Sequence, residues 1–180
     1  MIKIINGAKS FENNIVFKDF SAEFDGNGVI AITGDSGVGK TTLLNIISGL
    51  DTLTSGEIEN SYKQISYKFQ APNLIKWLTA LENIEVVLPS AKKDKAVKWL
   101  KNVNLLDSAD KLPHELSGGM AQRVAFARAM AYGGDLLLLD EPFNGIDEDN
   151  KQAMLKLILE ASKERLVIIV SIRNITAHAR

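Results

Sequence analysis

The segment GDSGVGKTT, Gly34 to Thr42, places glycines, a lysine and threonines at the spacing G-x-x-x-x-G-K-[ST], carried by Gly34, Gly39, Lys40 and Thr41. Glycines there let backbone N–H groups close around a phosphate without Cβ clashes. The ammonium of Lys40 can reach the β and γ phosphates, and the hydroxyl of Thr41 is a hard oxygen ligand for Mg²⁺. Asp35, Ser36, Gly37, Val38 and Thr42 complete a loop able to wrap the phosphates. The chemistry implied is Mg-ATP binding, with Lys40 counted among the catalytic groups. The competing reading, a glycine turn with a solvated lysine, requires the full pattern to arise by accident, which average glycine usage of about 7% makes rare.

Asp140 and Glu141 follow four leucines, so two carboxylates emerge at the carboxyl end of a buried strand, where ligands of open α/β sheets collect. Asp140 can hold the metal, while Glu141 orients or deprotonates an attacking water. A second anion site opens at LSGG, where Ser117, Gly118 and Gly119 enter a helix. Ser117 has an ordinary role open to it as an N-cap. Met120, however, stands at N3, where a capping box places a carboxylate, so the positive end of the helix is left for a phosphate. Two cradles that each begin a helix of one compact fold close awkwardly on a single nucleotide. A head-to-tail pair with twofold symmetry resolves this, because Ser117, Gly118 and Gly119 of one copy then cover the γ-phosphate on Lys40 of the other.

These residues need a scaffold of strands ending in loops that open helices. VIAIT (29–33) reads as a buried strand running into the glycine loop, and TTLLNIISGL as a helix closed by Gly49. ISYKF (65–69) is a short strand before Gln70, DLLLLD (135–140) and RLVIIVSI (165–172) are buried strands, and MLKLILEA is a helix. Residues 79–112 read as helical, with Thr79 and Glu82 at capping-box spacing and Ala96, Trp99, Leu100 and Val103 on one packing face. Before the loop, IKII, NIVF and FSAEF are short β segments of a small antiparallel layer. The predicted fold is α/β, with a mostly parallel sheet, an N-terminal antiparallel β layer and a helical insertion. The chain reads as one domain, 1–180, with residues 1–78 and 133–180 forming the α/β core and 79–132 the helical subdomain.

Composition narrows the function. At 180 residues with 46% hydrophobic side chains, the chain buries roughly 70% of its unfolded surface and folds without staples. Twenty-one basic against twenty-two acidic residues give a net charge of −1, which offers no field for nucleic acid. Without cysteine, disulfides and thiolate metal sites are excluded, and the cytosol is the expected compartment. The opening MIKIINGAKS is too short in its apolar run for a signal peptide, and no run of roughly 18 apolar residues could span a membrane. Contact with a membrane would go through partners.

In this order the motifs resemble the ATP-binding cassette family over almost the whole chain. GDSGVGKT is similar to its Walker A, Gln70 to the Q-loop glutamine, LSGGM to the signature motif, LLLLDEP to the Walker B, and NGID, ending at Asp147, to the D-loop. The resemblance implies a P-loop NTPase core, hydrolysis of ATP with Mg²⁺, and a homodimer in the ATP-bound state. It implies that Phe11 stacks on adenine, where an N-terminal aromatic is otherwise ordinary core. It gives Gln70 a catalytic role and a place beside Thr41 and Asp140 as a metal ligand that reports to integral membrane permease subunits. It also brings Asp147 to the nucleotide. APNLIKWLTALEN, with LSGGM and DEPF, is similar to cassettes of nitrate, sulfonate and taurine type importers, whose substrate-binding protein would be an indirect partner. The location implied is peripheral, on the inner face of the cell membrane. Trp77 has two readings, part of the groove for a permease helix or ordinary packing.

One position departs from the pattern. Where the family carries a histidine on the γ-phosphate after the last strand, VIIVSIRN has Ile172, flanked by Ser171 and Arg173. His114 and His178 read as surface residues. Intact binding with slow hydrolysis is the expectation. The resemblance also runs out soon after this strand, short of the family's closing elements. A transporter ATPase therefore leads, with a nucleotide-binding regulatory module of little turnover and a soluble, non-transport cassette ATPase as rivals. A small P-loop kinase would leave LSGGM without a task.

Overall fold

Two sheets of different character frame the glycine loop. The computed structural model describes residues 1–12, 14–89 and 93–172. The first sheet is antiparallel, in the order β2 (Asn14–Phe24), β1 (Ile2–Phe11), β4 (Ser55–Asn60). NIVF and FSAEF, read from sequence as separate segments, are one strand of 11 residues, because irregularities in the β1–β2 register absorb the polar interruptions between them. β4 has no counterpart in the sequence reading. Its sequence SGEIEN offers a single apolar residue, Ile58, and is held in place by pairing with β1.

The second sheet is parallel, in the order β3 (Gly28–Thr33), β7 (Leu166–Ser171), β6 (Leu136–Asp140), β5 (Ile65–Lys68). β6 and β7 are buried along their whole length. Alternation divides their side chains between two cores. Leu137, Leu139, Val167 and Ile169 join the helical side, whereas Leu136, Leu138, Leu166, Ile168 and Val170 meet Ile2, Ile4, Leu44 and Ile47 on the other. Each of the four β6 leucines is fully buried, which is worth about 1.5–3 kcal/mol apiece against exposure. That anchorage fixes the end of β6, where Asp140 leaves the sheet. β3 corrects the expectation of a buried strand. It lies at the sheet edge, and only Ile30 and Ile32 turn toward a core while Val29 and Ala31 are exposed.

Helix α1 (Lys40–Ser48) packs Leu43, Leu44 and Ile47 beneath the antiparallel layer. It ends at Gly49, whose positive φ of 78° returns its N–H to the carbonyls of Asn45 and Ile46. On the other side lie α2 (Ala80–Glu85), α3 (Lys93–Asn102), α4 (Gly118–Tyr132) and α5 (Glu148–Ala161). Among the described residues the helical stretch 79–112 contains α2, α3 and a 3-10 turn at 106–108. Thr79 caps α2 reciprocally, accepting from the Glu82 N–H while Glu82 accepts from its own. Ala96, Leu100 and Val103 are buried with Trp99 packed beside them, as the helical periodicity requires.

One polar contact ties the antiparallel layer to the turn after α1. The buried Lys9 ammonium donates to the Asp51 carboxylate and the Thr52 carbonyl, and lies 4.5 Å from the centre of the Phe11 ring. Asp51→Asn is expected to lower the melting temperature at neutral pH, because it leaves a buried cation without its counter-charge. The Lys9 bond holds the Asp51 carboxyl below its ordinary value of 3.8. Its stabilisation is therefore present above that value and is lost as the carboxylate protonates on acidification. Thermal melts at stepped pH should show the gap between wild type and variant closing below about pH 4.

Candidate nucleotide site

The glycine loop enters α1 through Gly39, whose φ of 94° suits glycine. A Cβ at Gly39 would stand 2.4 Å from the Val16 side chain of β2, so the loop is pressed against the antiparallel layer and tolerates no side chain. Gly39 is also the N-cap, with no side-chain cap and no acidic residue in the first turn of α1. The first amides of that helix are therefore open to an anion, which is the fit a phosphate requires. The Lys40 ammonium arches over the loop and donates to the carbonyls of Gly34 and Asp35, at 2.7 Å each.

Thr41 donates its hydroxyl proton to the Asp140 carboxylate at 2.7 Å, joining two of the three residues expected to hold a metal across 99 positions of sequence. Asp140 is 1% exposed. Burial pushes its carboxyl above the ordinary aspartate value, against the opposing pull of the Thr41 bond and the Lys68 and Lys40 charges. Among the described residues no cluster of histidine, cysteine and carboxylate side chains could hold a metal by itself. One hydroxyl and one carboxylate are the hard, sparse donor set of a Mg²⁺ ion that keeps water and phosphate oxygens in its shell.

Glu141 follows with φ 44°, a left-handed conformation that costs a non-glycine residue about 1–3 kcal/mol. Its N–H donates to the Val170 carbonyl and its carboxylate accepts from the Ser171 hydroxyl at 3.4 Å. The buried ends of β6 and β7 thus hold the strained residue in place. Glu141, Gln70 and Ile172 all line two adjoining cavities. One, of about 210 Å³, is shared with Ser36, Gly37, Gly39, Lys40, Thr41, Thr42, Val16 and Asp140. The other, of about 460 Å³, is shared with Phe143, Asn144, Gly145 and Ile146. Val38 is exposed at the loop's tip.

The LSGG residues are not brought to this cleft. Ser117 caps α4 by accepting from the Met120 N–H, and the first turn of α4 contains no acid. A Cβ at Gly119 would meet the Gly145 carbonyl at 2.8 Å, so the helix entrance packs on the turn before Asp147. Asp147 in turn caps α5, accepting from the Asn150 N–H. Phe11 sits at the end of β1, half exposed, and does not line the cleft. Trp77 is 79% exposed, which overturns the packing reading. His114 is exposed as expected, and Arg173 and His178 lie outside the described residues.

Several residues that hold the site were not read from sequence. The buried Lys68 donates to the carbonyls of Asp140, Glu141 and Gln70. Gln122 of α4 donates to the Gln70 carbonyl at 2.9 Å, and Arg128 donates to the carbonyls of Pro72 and Asn73. The buried Asn83 accepts from the Ile75 N–H and donates to the carbonyls of Ile75, Leu78 and Thr79. The segment after Gln70 is therefore bolted to the helices. Gln122 and Arg128 reach main chain 52 to 56 residues away and Lys68 reaches Asp140 and Glu141 from 72 and 73, contacts without a local signal, whereas Asn83 closes its bonds within eight residues.

Comparison with known proteins identifies the family. Residues 17–144 match the family model described as ABC transporter. An aliphatic sulfonates import ATP-binding protein of Pseudomonas savastanoi pv. phaseolicola is 34% identical over 167 residues, spanning 92% of this chain and 70% of the relative. The sulfate/thiosulfate import ATP-binding protein of Escherichia coli is 37% identical over 183 residues, spanning 91% of this chain and 50% of the relative. A solved ATP-binding cassette, dimeric and bound to ADP and phosphate after hydrolysis, superposes with a TM-score of 0.85 at 31% identity, over 95% of this chain and 88% of that one. With a glycine loop, a hydroxyl–carboxylate pair and a strained glutamate on one cleft, and these relatives beside them, the chain belongs to the ABC transporter family as an ATP-binding domain.

Proposed function

We propose that the chain is the ATP-hydrolysing subunit of an importer, driving integral membrane permease subunits through ATP-dependent closure of a homodimer. The observation that carries this reading is the convergence of Thr41, Asp140, Glu141 and Gln70 on the cleft that begins at the glycine loop. In it, Lys40 and the α1 amides bind the phosphates, and Thr41, Asp140 and Gln70 hold Mg²⁺, which supplies charge neutralisation at the phosphate oxygens. Glu141 accepts a proton from water as the water oxygen bonds to the γ-phosphorus, the bond to the β–γ bridging oxygen breaks, and ADP and phosphate leave. Phe11 supplies a ring for adenine.

Two features support a shared site. Ser117, Gly118 and Gly119 do not line the cleft of their own chain, and the α4 N-terminus they form is without an acidic side chain. A twofold copy would bring that entrance, with Asp147 beside it, onto the γ-phosphate. Ser117→Arg, whose side chain fills this entrance, is expected to abolish the Mg-ATP-induced dimer while ATP binding by the monomer stays within about threefold of wild type. Sedimentation or light scattering of the Glu141→Gln background with Mg-ATP checks this, and persistence of the dimer would refute the shared site.

The importer reading rests on the relatives' own activities and on Trp77, whose exposed indole follows Gln70 closely enough to meet a permease segment. Among the described residues no helix is long and apolar enough to cross a membrane, so in this reading the chain is held peripherally on the inner face of the membrane by its permease. A second reading, a nucleotide-binding regulatory module with little turnover, is favoured by one observation: the apolar Ile172 lines the cleft beside Glu141.

A further inference from the structure

Lys68 is the largest fully buried polar side chain of the chain's described residues, 1% exposed at the carboxyl end of β5, an edge strand of the parallel sheet. Its ammonium has three donors and meets three main-chain carbonyls, of Asp140 at 3.2 Å, Glu141 at 3.4 Å and Gln70 at 3.4 Å. No carboxylate oxygen lies in ion-pair contact with it among the described residues. A buried cation held only by carbonyls is a poor stabiliser, because desolvation of the charge outweighs what dipoles return.

The three carbonyls are informative because of where they stand. Two belong to the residues at which β6 turns out of the sheet, the second of them the strained Glu141; the third belongs to Gln70, just beyond β5. The Gln70 carbonyl also accepts from Gln122, on the helix that Ser117 opens. A continuous chain of hydrogen bonds therefore runs from α4 through Gln122, the Gln70 carbonyl and Lys68 to the main chain of Asp140 and Glu141.

We propose that Lys68 is a positioning residue for hydrolysis, an internal clamp that fixes the main chain of Glu141 relative to Gln70 and α4. Lys68 does not touch the nucleotide. It sets where the Glu141 carboxylate points and holds the two strand ends together. The inference rests on the proposed hydrolytic role of Glu141, so its test includes a measurement that needs no turnover.

Lys68→Met retains the length of the side chain and removes the ammonium. On the full chain without nucleotide, we expect a melting temperature equal to or above that of wild type, together with amide hydrogen exchange at least about tenfold faster in residues 70–73 and 141–144 only. In phosphate-release assays we expect kcat to fall about tenfold or more with KM and fluorescent ATP-analogue affinity within about twofold, the signature of a displaced catalytic group and not of lost binding. Unchanged exchange at both strand ends would overturn the clamp whatever the activity. Changed exchange in a protein whose wild type shows no turnover above Glu141→Gln would uphold the clamp and reject the hydrolytic reading. Where the wild type does turn over, kcat within about twofold of wild type would overturn the positioning role. Should Lys68→Met fail to fold, Lys68→Gln, which keeps a neutral donor, is measured in the same way; failure of both variants to fold would identify Lys68 as structural and reject the proposal.

Discussion

Glu141→Gln is expected to reduce steady-state ATP turnover by about 10²–10⁴-fold while Mg-ATP affinity remains within about twofold of wild type. The amide keeps the volume, the left-handed backbone and a hydrogen-bonding partner for Ser171, but it cannot take a proton from water. Binding should survive because in the proposed site the phosphates are held by the glycine loop, α1 and Lys40, and the metal by Thr41, Asp140 and Gln70, with Glu141 in neither set. Phosphate release and equilibrium binding of a fluorescent ATP analogue, measured on the same preparations, separate the two effects. A variant with undiminished turnover would remove Glu141 from the chemistry, and parallel loss of binding would make it structural. The same variant distinguishes a motor from a low-turnover module. In a motor the substitution removes most of the hydrolysis present, whereas in a module there is little to remove and wild type and variant release phosphate at nearly equal rates.

How much of this site could be read in the sequence depended on whether its parts are consecutive. The glycine loop, the leucine run ending in Asp140 and Glu141, and the Ser117 cap are contiguous patterns whose local geometry follows from residue type, and the structure has them as strand end, loop and helix start. The parallel sheet followed from strands alternating with helices. Contacts that close over long separations were not legible. Gln122 reaches the Gln70 carbonyl from 52 residues away, and Lys68 reaches Asp140 from 72. Nothing in ISYKF itself marks its lysine as buried. It is buried because β5 pairs with β6 and α4 covers that face, facts of tertiary packing that no local periodicity encodes. The edge position of β3 was hidden for a related reason. Its apolar run has the composition of β6 and β7, but only strand order decides which of the three has a partner on both sides.

Ile172 marks the point at which the cleft departs from its family's resemblance, and the departure has a direct test. Its side chain is 52% exposed and lies on the wall common to both cavities, beside Gln70 and Glu141. An apolar group there offers no donor to the charge that develops on the γ-phosphoryl oxygens, and one preorganised donor in such a site is worth about 10²–10³ in turnover. Ile172→His places a ring N–H where the isoleucine has only methyl groups, and the exposure of the site gives the larger ring room without repacking a core. The expected result is a rise in kcat of about 10²-fold, with KM for Mg-ATP changed by no more than about threefold, because the new bond forms mainly in the transition state. The gain should vanish when Glu141→Gln is added, since a donor to the phosphoryl group cannot replace the base. An unchanged rate in the single variant would mean that the existing cleft already supplies the missing donor from another residue or from the partner copy. The slow-turnover expectation would then fall, and Ile172 would be a tolerated neighbour of the site and not its brake.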